Sequence, residues 1–139
     1  MRRAFALLLF VIVGSACSKS NSGPTSPDTT PTRVISIAGD LNFGNVSLIQ
    51  AKNAGFTIAN VGNSVLTVTS FTGPCANTGF FKFTWTAGTI EAGAAQPVIV
   101  TFAPKGPITC TGPVTVHGDQ TSGGDTIALT AVGVVPGAP

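Results

Sequence analysis

Three cysteines, one histidine and five acidic residues are the groups in this 139-residue chain that could carry covalent, metal or acid–base chemistry. The cysteines stand at positions 17, 75 and 110, too far apart for a Cys-x-x-Cys redox or zinc pattern. His117 is the single histidine, whereas metal centres and acid–base sites recruit several convergent ligands. It alternates with Val114 and Val116 and is expected to face solvent. Asp40, Glu91, Asp119 and Asp125 all fall in predicted turns. Asp119 and Asp125 flank Gln120–Gly124 and could share a cation, but turn formation accounts for both more simply. With no phosphate loop, nucleophile elbow or zinc spacing, the sequence predicts no catalytic residue, metal site or cofactor.

Cys17 has a chemistry of a different kind. It is preceded by Met1-Arg2-Arg3, an unbroken apolar run from Ala4 to Val13, and the small residues Gly14-Ser15-Ala16. Ten helical residues rise only ~15 Å, half of a ~30 Å hydrocarbon core, so the run is a secretory signal rather than a membrane span. The Gly-Ser-Ala-Cys boundary resembles the lipobox of bacterial lipoproteins, with Gly14 where that motif usually has leucine. The resemblance implies cleavage after residue 16, acylation of Cys17 and anchoring through acyl chains, each buried CH₂ contributing ~0.8 kcal/mol. The alternative is an ordinary signal cut after Ala16, which leaves Cys17 unmodified. Uncharged Ser18 points to the outer membrane of the envelope, in its periplasmic or surface-facing leaflet. Residues 18–32 hold Pro24, Pro27 and Pro31 among Ser, Thr and Asn and read as an extended, disordered tether.

From Arg33 the pattern changes to alternation. Apolar side chains recur every second residue in segments spaced about ten residues apart, and no stretch keeps a helical period. The expected core is Phe43, Phe56, Ile58, Leu66, Val68, Phe83, Trp85, Val98, Val100, Phe102, Val114, Val116, Ile127 and Leu129. Leu41 to Val46 reads as a short edge segment after a Gly39-Asp40 break, and Asn60 and Gly62 as positive-φ residues of a turn. Pro104 stops the strand that ends at Phe102. The fold class is therefore all-β: a single Greek-key sandwich of seven or eight strands spanning 33–134, with a frayed end at 135–139.

Cys75 and Cys110 form an even pair once Cys17 is acylated, and an exported compartment is oxidising, so a Cys75–Cys110 disulfide is predicted. Both lie beside glycine and proline and neither reads as part of an alternating strand, which argues against an antibody-type Cys–Trp–Cys core around Trp85.

Several landmarks occur together and in order: Leu41-Asn42-Phe43-Gly44-Asn45-Val46, Phe56 to Val68 around Asn60-Val61-Gly62-Asn63, Gly93, Val98 to Pro104, Gly112 to Val116, and Ile127 to Gly133. They resemble the ASH (Hydin-like) domain, known in bacteria as a "choice-of-anchor D" repeat, and cover about Asp40 to Gly133. The resemblance implies an immunoglobulin-like sandwich related to the major sperm protein fold, used as a binding or spacer module. That family is not defined by catalytic residues.

Composition narrows the partners. Charged residues are 9% of the chain and the net charge is +2, with Arg2 and Arg3 in the segment to be removed. Such a surface cannot neutralise a phosphate backbone, so nucleic acid is excluded. The expectation is a non-catalytic module that contacts another envelope protein through loops or an edge strand. A carbohydrate-binding or adhesion role is the alternative. It needs a platform of exposed aromatics, and the chain has no tyrosine.

Overall fold

Strands form where β-branched and aromatic residues alternate with threonine, and they stop at Gly, Pro and Asn. The computed structural model describes residues 30–137; the signal segment, Cys17, the tether up to residue 29, and residues 138–139 lie outside the described residues. The described residues form nine strands: β1 (Val34–Ser47), β2 (Lys52–Asn60), β3 (Leu66–Thr72), β4 (Phe81–Phe83), β5 (Gly88–Ile90), β6 (Ala95–Phe102), β7 (Ile108–Gly118), β8 (Ser122–Gly123) and β9 (Thr126–Val134). A single 3₁₀ turn, Ala76–Thr78, interrupts them. The all-β expectation holds; the segments before and after Gly39-Asp40 are one strand, β1, and β5 and two-residue β8 are additions.

Hydrogen bonding orders the strands β4-β6-β2-β1-β9-β7-β3-β5, with β8 beside β1. β1 belongs to both layers. Its first half, Ile35 to Asp40, pairs antiparallel with β2, and its second half, Leu41 to Ser47, runs parallel to β9. Leu41 to Val46 is therefore not an edge segment but the inner half of a 14-residue strand. Nor is Asp40 in a turn; it lies at the point where β1 changes layer.

Gly-Asp is turn chemistry in most contexts; here it bends a strand without ending it. Gly39 has φ +150°, and a Cβ there would lie 2.5 Å from the Phe56 backbone. Just beyond, Asp40 Oδ1 accepts from Asn42 N at 2.8 Å and Asn42 Oδ1 accepts from Gly44 N at 3.1 Å. These bonds support the slip in register against β9 between Asn42 and Gly44. Gly39→Ala is expected to cost about 2 kcal/mol, because backbone rather than a movable side chain blocks the methyl. Urea unfolding would show a lower midpoint with little change in slope.

Between the layers, eleven of the expected core residues are buried, with Phe43 and Phe102 the largest fully enclosed side chains. Each contributes roughly 1.5–3 kcal/mol by leaving water. Phe83, Trp85 and Ile127 differ from expectation: they are only partly buried and pack on the rim. Phe83 lies in a three-residue strand at the end of the sheet, and Trp85 follows it outside any strand. Ile35, Leu41, Val46, Ile90, Cys110 and Ala131 complete the core.

The β2–β3 turn corrects a second expectation. Neither Asn60 nor Gly62 has positive φ. Asn60 is instead the one buried polar residue among those described, at 0% exposure. Its Nδ2 donates to Ser64 O (2.8 Å) and Ile90 O (2.9 Å), while its Oδ1 accepts from Gly62 N (3.1 Å). Gly62 is glycine for lack of room, since a Cβ there would sit 2.2 Å from Thr32 O. That same carbonyl accepts from Asn63 N and Ser64 N, docking the start of the domain on this turn.

Candidate functional site at the open seam

β1 joins the two layers on one side of the sandwich; on the other side no described strand does. The sheet order ends at β4 in one layer and β5 in the other, and these ends are not hydrogen-bonded to each other. Side chains close the gap instead. Phe71 of β3 meets Phe83 of β4 edge-on with centroids 5.4 Å apart, and Trp85 at 6.1 Å. Phe71 also meets Phe56 of β2 at 5.9 Å. Edge-to-face and offset contacts of this kind hold layers together without any directional backbone bond.

Two crossings bracket the seam. Residues 73–80 carry the chain from β3 to β4, and residues 84–87 carry it back to β5. The first is pinned by the Cys75–Cys110 disulfide, whose Cα atoms are 5.9 Å apart. Cys75 holds φ +58°, unusual for a residue other than glycine, at the start of the 3₁₀ turn. Cys110, expected in a loop, lies inside β7 and is buried. Glycine and proline follow it within three residues and mask the strand in the sequence, yet Gly112 and Pro113 both pair with β9. The antibody-type core remains excluded, since Cys75 is not in a strand.

Beneath this crossing lies a cavity of about 200 Å³ lined by Phe71, Thr72, Gly73, Pro74, Ala76, Phe81, Phe83, Val114 and Leu129. The lining carries no charge. Its one polar side chain, Thr72, has Oγ1 2.8 Å from His117 Nε2. Strand edges border the region: β5 pairs only with Leu66 to Val68, so the rest of that edge of β3 has no strand neighbour. The sequence signal for this site is slight. Phe71 breaks the period of β3 at a register slip between Val68 and Ser70, and nothing local shows that it meets β4.

The titratable candidates do not converge here. His117 is exposed on the outer face of β7, as expected, and engages only Thr72 among the hydrogen bonds of its side chain. Asp119 Oδ1 accepts from Thr67 N at 2.8 Å, and its Oδ2 lies 3.4 Å from Arg33 Nε. Asp125 Oδ2 accepts from Gln120 Nε2 at 3.2 Å. The two carboxylates thus serve separate turn contacts, which clasp Arg33 and β8 to the β7–β9 connection. No group of three or more His, Cys, Asp or Glu able to hold a metal occurs among the described residues. Nor is any described helix long and apolar enough to cross a membrane.

Comparison with known proteins agrees with this architecture. The family model for the HYDIN/CFA65/VesB-like, Ig-like domain matches residues 34–133. Among solved structures, the ASH/PapD-like domain 7 of human CEP192 superposes with a TM-score of 0.58 at 17% identity, covering 86% of this chain and 98% of that one. A protein of unknown function from Porphyromonas gingivalis W83 gives 0.51 at 15% identity, covering 79% and 50%. The Caenorhabditis elegans major sperm protein family member WR4 gives 0.48 at 11% identity, covering 73% and 99%. No curated protein matches the chain. At these identities the likeness to the first two speaks for the fold alone.

Proposed function

Because the chain belongs to the HYDIN/CFA65/VesB-like, Ig-like domain family, as its ASH-type landmarks anticipated, we propose that it is an envelope lipoprotein displaying a non-catalytic module for protein–protein contacts. Acylation at Cys17 holds it to the membrane, outer membrane favoured, and the tether ends before Thr30 rather than at residue 32, since Thr30 and Thr32 are bonded to the Asn63 turn. The observation that carries the interaction reading is the open seam: an uncharged, aromatic-walled cavity beside strand edges that have no partner strand among the described residues. Apolar clefts with free backbone groups suit polypeptide recognition. Acid–base chemistry instead needs convergent titratable groups, and those described are dispersed. The large exposed hydrophobic residues, Ile49, Val61, Val65, Ile99 and Val135, are aliphatic and include no ring on which a sugar would stack. The glycan-binding alternative therefore gains no support from the described surface.

Two measurements test this reading. Intact mass of the native protein from the membrane fraction is expected to show a chain starting at Cys17 with acyl adducts. An unacylated soluble chain would overturn the anchor. For the module, photo-reactive residues placed in intact cells at Lys82 on the seam strand β4 and at Ile99 and His117 on the outer faces of the two layers are expected to give an adduct with an envelope protein from at least one site. Their complete absence would remove the interaction reading.

A further inference from the structure

The seam is more specific than a generic apolar patch, because its rim is made of main chain. Phe80 O accepts from Ala103 N, and Thr84 N donates to Ile99 O, so residues 80 and 84 face β6. Backbone groups alternate sides along a strand, so the N–H and C=O of Phe81 and Phe83 point away from β6, past the end of the sheet. The Phe81 and Phe83 side chains, meanwhile, turn inward to line the cavity. Across the gap, β3 beyond Val68 likewise lacks a strand neighbour on its outer edge. The cavity is thus bordered by two unpaired strand edges from opposite layers. Only a polypeptide backbone offers donors and acceptors in the alternation that such an edge requires.

We infer that the seam binds an extended peptide segment of a partner protein, which adds to the free edge of β4 and buries one aromatic side chain in the cavity under Cys75. This inference rests on the interaction-module reading. Register follows from the pleat: a partner residue hydrogen-bonded opposite Phe81 or Phe83 sends its side chain to the same face, into the cavity. Size fits as well. Apolar cavities of ~150 Å³ accept a benzene ring, and this one measures about 200 Å³. The absence of charge in the lining selects an apolar ring over a charged side chain, which could not be desolvated there without a partner.

The probe is the blocked pentapeptide acetyl-Thr-Val-Phe-Val-Thr-amide, titrated into the full isotope-labelled chain in detergent and followed by amide hydrogen exchange and chemical shift. Slowed exchange at Phe81 and Phe83, centred on those two amides, is expected. Replacing the central Phe of the peptide by Ala should weaken binding at least about tenfold, the loss of one buried ring. N-methylation of that Phe keeps the ring but blocks the backbone bond, and should weaken binding comparably. On the protein, Ala76→Trp at the exposed roof of the cavity should abolish binding without disturbing the core. Unchanged exchange at Phe81 and Phe83 in millimolar peptide, equal binding of the N-methyl peptide, or binding centred elsewhere would each overturn the inference. Adducts from Ile99 or His117 would survive such a failure, so loss of this site and loss of the interaction-module reading are told apart.

Discussion

Asn60→Leu is expected to lower the unfolding free energy by about 4 kcal/mol, although the two side chains have nearly the same shape. The leucine would leave Ser64 O and Ile90 O without their donors and Gly62 N without its acceptor. Each buried orphaned group costs about 1–3 kcal/mol, which outweighs the favourable burial of two methyl groups. Asn60→Asp should be worse at neutral pH, since it places a carboxylate against those same two carbonyls. Burial and carbonyl contact raise the folded-state pKa of the introduced carboxyl above the ordinary value near ~4. A raised pKa means stability that is fullest below the unfolded value and is lost as pH rises through the folded one. The aspartate variant should therefore approach the leucine variant at low pH and fall behind it toward neutrality. Urea unfolding monitored through Trp85, the chain's single tryptophan, reads both effects. An Asn60→Leu variant as stable as the parent would show that water already satisfies these groups.

Asn60 also shows where sequence reading succeeds and where it stops. The Asn-Val-Gly-Asn string marks a turn at the right place, because polar and glycine residues interrupting an alternating run are a local signal. Its physical cause is not local. Asn60 binds a carbonyl 30 residues away, and Gly62 yields space to Thr32. Strand interiors were legible for the same reason as the turn: period two survives in β2, β6 and β7 whatever their neighbours are. What one residue cannot report is which strands end a sheet. Leu41 to Val46 looks peripheral in isolation and lies at the centre because β9 returns beside it. Phe83 and Trp85 look like core and line a rim because β4 has only one neighbour. The seam cavity draws residues from β3, β4, β7, β9 and the β3–β4 crossing, so it exists only at the level of topology. The pattern of residues 1–17, a cationic start, an apolar run and small residues before Cys17, is local and can be read without reference to the fold.

Removing the disulfide should be as costly as disrupting Asn60, but by a different route. Cys75 and Cys110 are 35 positions apart, and closing a loop of that length removes unfolded-state entropy equivalent to about 4 kcal/mol at 25 °C in the chain-entropy model. The Cys75→Ala/Cys110→Ala double variant should therefore lose about that much, with a steeper urea dependence because its unfolded chain is less constrained. Against a total of ~5–15 kcal/mol typical of such domains, that loss leaves the fold marginal. The loss should also be local in the native state. Between Gly73 and Gly79 the hydrogen bonds run within the crossing, Thr78 N and Oγ1 both donating to Cys75 O, so the disulfide is its covalent tie to β7. Amide exchange should accelerate over residues 73–80 well before it does in β1, β2 or β9. Replacing Cys75 by glycine instead of alanine should recover about 1 kcal/mol, since φ +58° strains any side chain and glycine adopts it freely. If the double variant matches the parent in stability and exchange, packing of Pro74, Phe71 and Phe81 holds the crossing unaided. The seam would then be a rigid cleft whose shape does not depend on oxidation.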